Sequence, residues 1–364
     1  MNIAMWKTYV KRTLFLLRKK GAGYTFKAIY FFVIWGRRYP LITRLFSFIS
    51  PYPKFIEIEV TTRCNLRCTL CEHTYWNEPV RDMSLQEFKS IIDQFPHLQW
   101  IGLTGIGESF LNKDFLSMLA YVKAKNVFVE LYDTFYLIDA VTSERLIEMG
   151  IDRMYVSFDG ATKETYEKIR VNSNFEQVVE NIKGLLNLKR QLSAHFPEVH
   201  FHYIITKDNI SEMLQYLELV RSLIVDQSVT VQFTRMLHTF KEVDHLFTEI
   251  SPEVIREVED QAQKLSINLS WNLNVPVDKP PLKNCIEWTM PFIFATGHVI
   301  PCCAGNESGR RDFQKDTSLG NIFEQSFKDI WLGRKYKAFR RMLRVGHVPV
   351  QCRNCCIYHI KGNN

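Results

Sequence analysis

The nine cysteines of this 364-residue sequence fall into two groups. Cys64, Cys68 and Cys71 lie within TTRCNLRCTLCEH as CxxxCxxC, while Cys285, Cys302, Cys303, Cys352, Cys355 and Cys356 lie within CIEWTMPFIFATGHVIPCC and QCRNCC. Thiolates suit zinc or an iron-sulfur cluster. A structural zinc site is normally closed by four protein ligands, whereas a cubane held by three thiolates keeps one iron open to a further ligand. The first group offers three thiolates, which points to an open cluster; a zinc knuckle that borrows His73, or unrelated buried thiols, is the plainer alternative. The second group has thiols enough for one closed site, of iron and sulfide or of zinc.

Other residues could work beside them. Gly105, Gly107 and Glu108 sit in LTGIGESFLN, where glycines allow close backbone approach and a carboxylate can pair with a cation. Asp133 and Thr134 follow a third β-rich run. Ser157 and Asp159 close a fourth in VSFDG, although Asp159 or Thr162 would equally cap the next helix. Arg170 and Arg235 read as solvated or structurally paired arginines. Tyr203 should face away from His200 and His202, and no role is assigned to the three.

The elements that must carry these residues alternate. β-rich runs at Phe55–Thr61, Gln99–Thr104, Val127–Leu131, Arg153–Phe158, Val199–Thr206 and Val229–Phe233 are separated by helical patterns. Helices are expected over Ser84–Phe95, with Ser84 and Glu87 as a capping box, and over Asn174–Lys189. This is an α/β rhythm of βα units, closing as an incomplete barrel or lying as an open parallel sheet. In both, chemistry belongs at the carboxyl ends of the strands, where the first cysteine group lies. The stretch NVPVDKPPLK reads as a linker, which divides the chain into an arm (1–50), a core (51–274) and a small second domain (275–364).

In this order along the strands, CxxxCxxC, the glycine-glutamate loop and VSFDGATKETYEKIR resemble the radical SAM superfamily. The resemblance implies a partial (βα)6 TIM-like barrel and a 4Fe-4S cluster on Cys64, Cys68 and Cys71, whose open iron is chelated by S-adenosylmethionine (SAM). It implies reductive cleavage of SAM to methionine and a 5′-deoxyadenosyl radical that abstracts hydrogen from substrate. It places Gly105, Gly107 and Glu108 at the methionine ammonium, and Asp133, Ser157 and Asp159 at methionine or ribose groups. Three positions depart from the family pattern: Leu70 replaces a common aromatic residue, Ser109 a proline, and Tyr132-Asp133-Thr134-Phe135 a Thr-Asn-Gly turn. The C-terminal Pro301-Cys302-Cys303, Leu319-Gly320-Asn321-Ile322 and CxxCC resemble the single-cluster, twitch form of the SPASM domain, a small α+β unit. That implies one auxiliary 4Fe-4S cluster on Cys285, one of Cys302 and Cys303 (Cys303 being carried forward), Cys352 and Cys355, with Cys356 spare.

The expected function is oxidation or modification of a peptide or small polar substrate, with an electron donor such as flavodoxin or ferredoxin. A non-catalytic zinc scaffold is the competing class. Residues 1–50 carry ten Lys or Arg, no Asp or Glu, and twelve aromatics, so the overall charge of +7 belongs to this arm. Such an arm can lie on the inner face of an anionic membrane, where a lipid-linked substrate would be met, or pack as helices on the barrel. No nucleic-acid module accompanies it. Its longest apolar run, AIYFFVIWG, is about half the roughly 20 residues that cross a bilayer, and Arg37 and Arg38 follow it, which argues against a secretory signal. The expectation is a cytoplasmic protein, where thiols stay reduced and serve metals rather than disulfides.

Overall fold

The computed structural model describes residues 17, 21–22, 25–26, 40–224, 229–236, 240–273, 282–307, 310–353 and 355. Most of the arm, and with it the expected membrane contact, lies outside the described residues, as does Cys356. The part described next to the core, helix α1 (Pro40–Ile49), is tied to the C-terminal region: Trp331 Nε1 donates to Ser50 O at 3.1 Å and the Arg344 guanidinium donates to Ser47 O. No helix among the described residues is long and apolar enough to cross a membrane.

The β-branched and aromatic runs form strands where expected: β1 (Phe55–Ile58), β2 (Trp100–Leu103), β3 (Phe128–Asp133), β4 (Arg153–Ser157), β5 (Glu198–Ile205) and β6 (Val229–Arg235). A seventh, β7 (Ile267–Asn272), was not expected, although INLSWN has the strict alternation of a half-buried strand. These seven run parallel in the order β1 to β7. Beyond β1 the same sheet continues into β8 (Phe292–Ile293), β9 (His298–Ile300) and β10 (Gly320–Asn321). β8 pairs in parallel with β1, Glu57 opposite Phe292 and Ile58 opposite Ile293, so the C-terminal region extends the barrel sheet directly.

Helices complete the units: α2 (Glu72–Tyr75), α3 (Leu85–Ile92), α4 (Phe115–Ala124), α5 (Ala140–Glu148), α6 (Lys163–Ile169), α7 (Phe175–Gln191), α8 (Met213–Leu223) and α9 (Pro252–Lys264). Ser84 and Glu87 do form the capping box of α3, Asn174 caps α7, and Thr162 rather than Asp159 caps α6. The C-terminal region adds α10 (Cys303–Glu307), α11 (Arg311–Asp316), α12 (Phe327–Leu332) and α13 (Arg334–Val345).

The two faces of the parallel sheet differ in chemistry. Ile56, Ile58, Leu103, Val129, Leu131, Met154, Val156, Phe201, Tyr203, Val231 and Phe233 form the apolar core under the helices. Alternation sends Tyr132, Arg153, Tyr155, Ser157, His200, His202 and Gln232 to the opposite, half-buried face. A closed eight-stranded barrel fills that interior with apolar layers. Here it holds a Tyr132–Tyr155 stack with centroids 4.5 Å apart, Arg153 within 3.1 Å of both Glu130 and Glu198, and His202 Nε2 hydrogen-bonded to Thr234 Oγ1 at 2.8 Å.

One buried amide sets where β1 releases the chain. Asn112 donates from Nδ2 to Val60 O and Met83 O, both at 2.8 Å, and accepts from Asp114 N–H at 3.0 Å. Replacing it takes the amide donor from Met83 O and leaves Val60 O only the Met83 N–H at 2.9 Å, so Asn112→Ala should cost about 1–3 kcal/mol in urea unfolding. A loss under about 0.5 kcal/mol, the size of an ordinary surface substitution, would contradict this role.

Candidate functional site

The cysteine loop leaves β1 through residues 59–63 and is threaded against the glycine loop that follows β2. The Glu108 N–H donates to Arg63 O at 2.7 Å, and a Cβ at Gly107 would stand 2.2 Å from Thr61 O, so only glycine fits. Arg63 is clamped in turn by Asp82, its Nε 3.0 Å from Oδ1 and its Nη2 2.5 Å from Oδ2. Farther along, the N–H groups of Arg67 and Thr69 donate to Val171 O and Ile169 O, both at 2.9 Å, which joins the loop to the end of α6. Leu70 is buried against Ile169, Met236, Val243 and Leu246.

Cys64, Cys68 and Cys71 stand within electrostatic reach of one another. Burial pushes the Cys64 thiol up to about 12, raises that of Cys68, and raises that of Cys71 well above its ordinary value, with Glu72 adding to the last. Three thiols held this way are poor thiolates until a cationic metal core displaces their protons. The donor set therefore fits an iron-sulfur core. His73, the alternative zinc ligand, has Nδ1 3.1 Å from the Arg67 guanidinium. Among the described residues no three His, Cys, Asp or Glu side chains are arranged to hold a single metal ion.

Arg170 lies beneath this loop. It is buried, its Nη1 is 3.9 Å from Cys68 Sγ, and its Nη2 is 2.5 Å from Asp159 Oδ2. Asp159, expected at the cofactor, instead pairs with Arg170 and accepts from Ile204 N–H at 2.7 Å. Arg170 is thus a structurally paired arginine, as expected, but one aimed at a thiol; its position after the VSFDG helix was the available signal. Ser157 ends β4 on the polar face, in line with Arg153 and Tyr155.

The structure brings two other expected residues together. Glu108 and Asp133 are each 4% exposed, and the Glu108 carboxyl stands near enough to add to the raising of Asp133. Glu108 Oε2 accepts from Thr134 Oγ1 at 2.8 Å, and Asp133 Oδ1 accepts from Phe135 N–H at 2.6 Å. Glu108 Oε1 and Asp133 Oδ2 are buried without a protein partner. Such orphaned acceptors fit a cationic ligand group, which is what an ammonium would supply. Phe135 has φ +61°, a left-handed conformation that glycine takes more easily, so the turn keeps a glycine-like backbone with an aromatic side chain in the core.

At the C-terminus, Cys302 lies within electrostatic reach of Cys285, Cys352 and Cys355, while Cys303 packs against Phe292, Phe294 and Ile300. The expected set named Cys303; neighbouring residues at the start of a helix point in different directions, and here Cys302 is the one turned toward the other three. Burial pushes Cys285 up to about 12 and raises Cys302 and Cys352 well above the ordinary thiol range.

Two family models match the chain: the radical SAM superfamily over residues 58–220, and an iron-sulfur cluster-binding domain, SPASM, over residues 285–356. The chain is a radical SAM enzyme with a SPASM domain. Its cofactors are accordingly a 4Fe-4S cluster, SAM and auxiliary iron-sulfur chemistry in the SPASM domain. It is 24% identical over 318 residues, 84% of this chain and 87% of the relative, to the tungsten-containing aldehyde ferredoxin oxidoreductase cofactor-modifying protein of Pyrococcus furiosus. It is 25% identical over 329 residues, 83% of this chain and 88% of the relative, to the AdoMet-dependent heme synthase of Methanosarcina barkeri. The structure of Streptococcus suis SuiB bound to S-adenosylmethionine shares the fold with a TM-score of 0.63 at 14% identity, over 79% of this chain and 68% of that one.

The carboxyl pair of this radical SAM enzyme carries a pH signature. Burial, and then the neighbouring Glu108, raise the Asp133 carboxyl well above its ordinary value, so the folded chain holds that proton more tightly than the unfolded chain. Its stabilising contribution is complete below the ordinary carboxylate range and fades as pH climbs through the raised folded value. In SAM-free protein, Asp133→Asn should therefore become increasingly more stable than the parent as urea unfolding is moved from pH 4 to pH 7.5. Parallel stability curves for the two proteins would show that the pair holds no such proton.

Proposed function

We propose that the Cys64, Cys68 and Cys71 loop holds the open 4Fe-4S cluster and that Glu108 with Asp133 receives the ammonium of SAM beside it. The observation that carries this reading is the pair of buried, partnerless oxygens, Glu108 Oε1 and Asp133 Oδ2, on loops adjoining the cysteines. When bound, the cluster and SAM supply reductive sulfonium cleavage and hydrogen abstraction from a substrate C–H bond. Gly105 and Gly107 let the glycine loop lie against the cysteine loop, and Thr134 orients the Glu108 carboxylate. Arg170 keeps a positive charge beside the Cys68 sulfur and is itself held by Asp159. Ser157 stands on the polar face, where its hydroxyl would serve a ribose hydroxyl of the bound cofactor.

The substrate in this reading is a peptide or small polar molecule on the same inner face, where Tyr132, Tyr155, His200, His202 and Gln232 offer rings and hydrogen-bonding groups. The names of the curated relatives, a cofactor-modifying protein and a heme synthase, support a small molecule, and SuiB bound to its precursor peptide supports a peptide. The outcome is oxidation or modification, with a flavodoxin or ferredoxin as electron donor. Cys285, Cys302, Cys352 and Cys355 hold the auxiliary cluster, which serves as an electron acceptor or substrate anchor.

The test is anaerobic reconstitution. Wild type should carry about eight iron and eight sulfide per chain, as two four-iron clusters require. Cys68→Ala should lose deoxyadenosine formation. Cys302→Ala should fall to about four iron while Cys303→Ala stays near eight. Cleavage of SAM by Cys68→Ala at the parental rate, or loss of iron in Cys303→Ala alone, would overturn these assignments.

A further inference from the structure

Glu59 is one residue past β1 and five before Cys64, and it is fully buried at 1% exposure. A carboxylate in that position is tolerable only if it is well paired. Its partners come from three separate segments. Oε2 accepts from Arg311 Nη2 at 2.8 Å and from Ile106 N–H at 3.0 Å, and Oε1 accepts from Ala295 N–H at 3.3 Å. Ile106 belongs to the glycine loop, Ala295 to the turn between β8 and β9, and Arg311 to the start of α11.

We infer that the Glu59–Arg311 pair is a positioning device through which the SPASM domain sets the loop that carries Glu108. The inference rests on the reading of Glu108 given above. The geometry leaves the loop no slack: a Cβ at Gly105 would lie 2.4 Å from Glu59 Cγ and 2.7 Å from its Oε2. Movement of the Glu59 carboxylate is therefore movement of residues 105–106, and two residues on the backbone is bonded to Arg63 O and locked under Thr61 O. Arg311 is fixed on its own side, 3% exposed, with its guanidinium 4.0 Å from the centroid of the Phe294 ring. The same helix is seated by two flanking pairs, Lys315 with Glu78 at 2.6 Å and Arg310 with Glu242 at 3.3 Å. All three acidic partners belong to the core, and Glu59 is the one that reaches the glycine loop.

A pair that merely fastened the domain would, when cut, loosen Ala295 and leave Ile106 as it was. The decisive experiment reads both. In reconstituted, SAM-free enzyme, hydrogen exchange is followed by mass spectrometry in peptides covering 105–108 and 293–297, for wild type, Arg311→Met, Arg311→Lys and the double variant Glu59→Gln/Arg311→Met. The double variant removes both buried charges and serves if Arg311→Met alone fails to fold. Exchange in 105–108 should quicken about tenfold in Arg311→Met or the double variant, as loss of one charge-assisted tie implies. The KM for SAM in uncoupled cleavage should rise about tenfold with kcat within about twofold, and Arg311→Lys should recover most of both. Unchanged exchange in 105–108, or faster exchange with an unmoved KM, would overturn the inference. A wild-type enzyme that bound no SAM would sink the functional reading instead, while the exchange comparison would still decide the coupling.

Discussion

The burial of acidic groups in front of a parallel sheet is the constraint on which this structure turns. Three thiols on one loop and the carboxyl groups of Glu108, Asp133, Asp159 and Glu59 crowd the carboxyl ends of β1 to β4. Arg170 serves Asp159 and Arg311 serves Glu59, each within 2.8 Å. Beyond the Arg170 guanidinium beside Cys68, the carboxyl pair and the thiols look to cations outside the polypeptide. Cofactors meet that need, an iron core for the sulfurs and a sulfonium amino acid for the pair. Folding alone pays for holding these groups in place, and the raised Cys64, Cys71 and Asp133 values are the sign of it.

The scaffold answers this constraint by separating its two faces. The helix-covered face carries the core, so the inner face is released from packing and can hold tyrosines, histidines and an arginine between two glutamates. The cysteine loop, the glycine loop and the turn after β3 then meet at one end because parallel strands deliver successive loops to the same edge. Continuation of the sheet through β8 brings the SPASM region against β1, the strand that feeds the cysteines.

How far all this was legible depended on what kind of signal each part had. CxxxCxxC after an apolar run, the Ser84 capping box and six of the strands were readable, because short-range pattern and local hydrogen bonding decide them. β7 had a readable alternation that the polar stretch after it obscured. β8 to β10, at two or three residues each, have no periodicity to detect and exist through pairing with β1 and one another. The choice between Cys302 and Cys303 is a matter of which way a turn faces. The Glu59–Arg311 contact spans 252 positions, and nothing local in either residue announces it. Phe135 is the reverse case: the sequence departs from the glycine turn, yet the backbone keeps its left-handed form.

The central claim is that the Glu108–Asp133 pair waits for the ammonium of SAM. Calorimetric titration of the reconstituted enzyme with SAM, repeated at pH 7 in buffers of different ionisation heat, tests it most directly. Binding should release more protons in wild type than in Asp133→Asn, because a cationic group drawn to the pair lowers the raised Asp133 carboxyl. Binding with no proton release in wild type, at an affinity that Glu108→Gln leaves unchanged, would contradict the account.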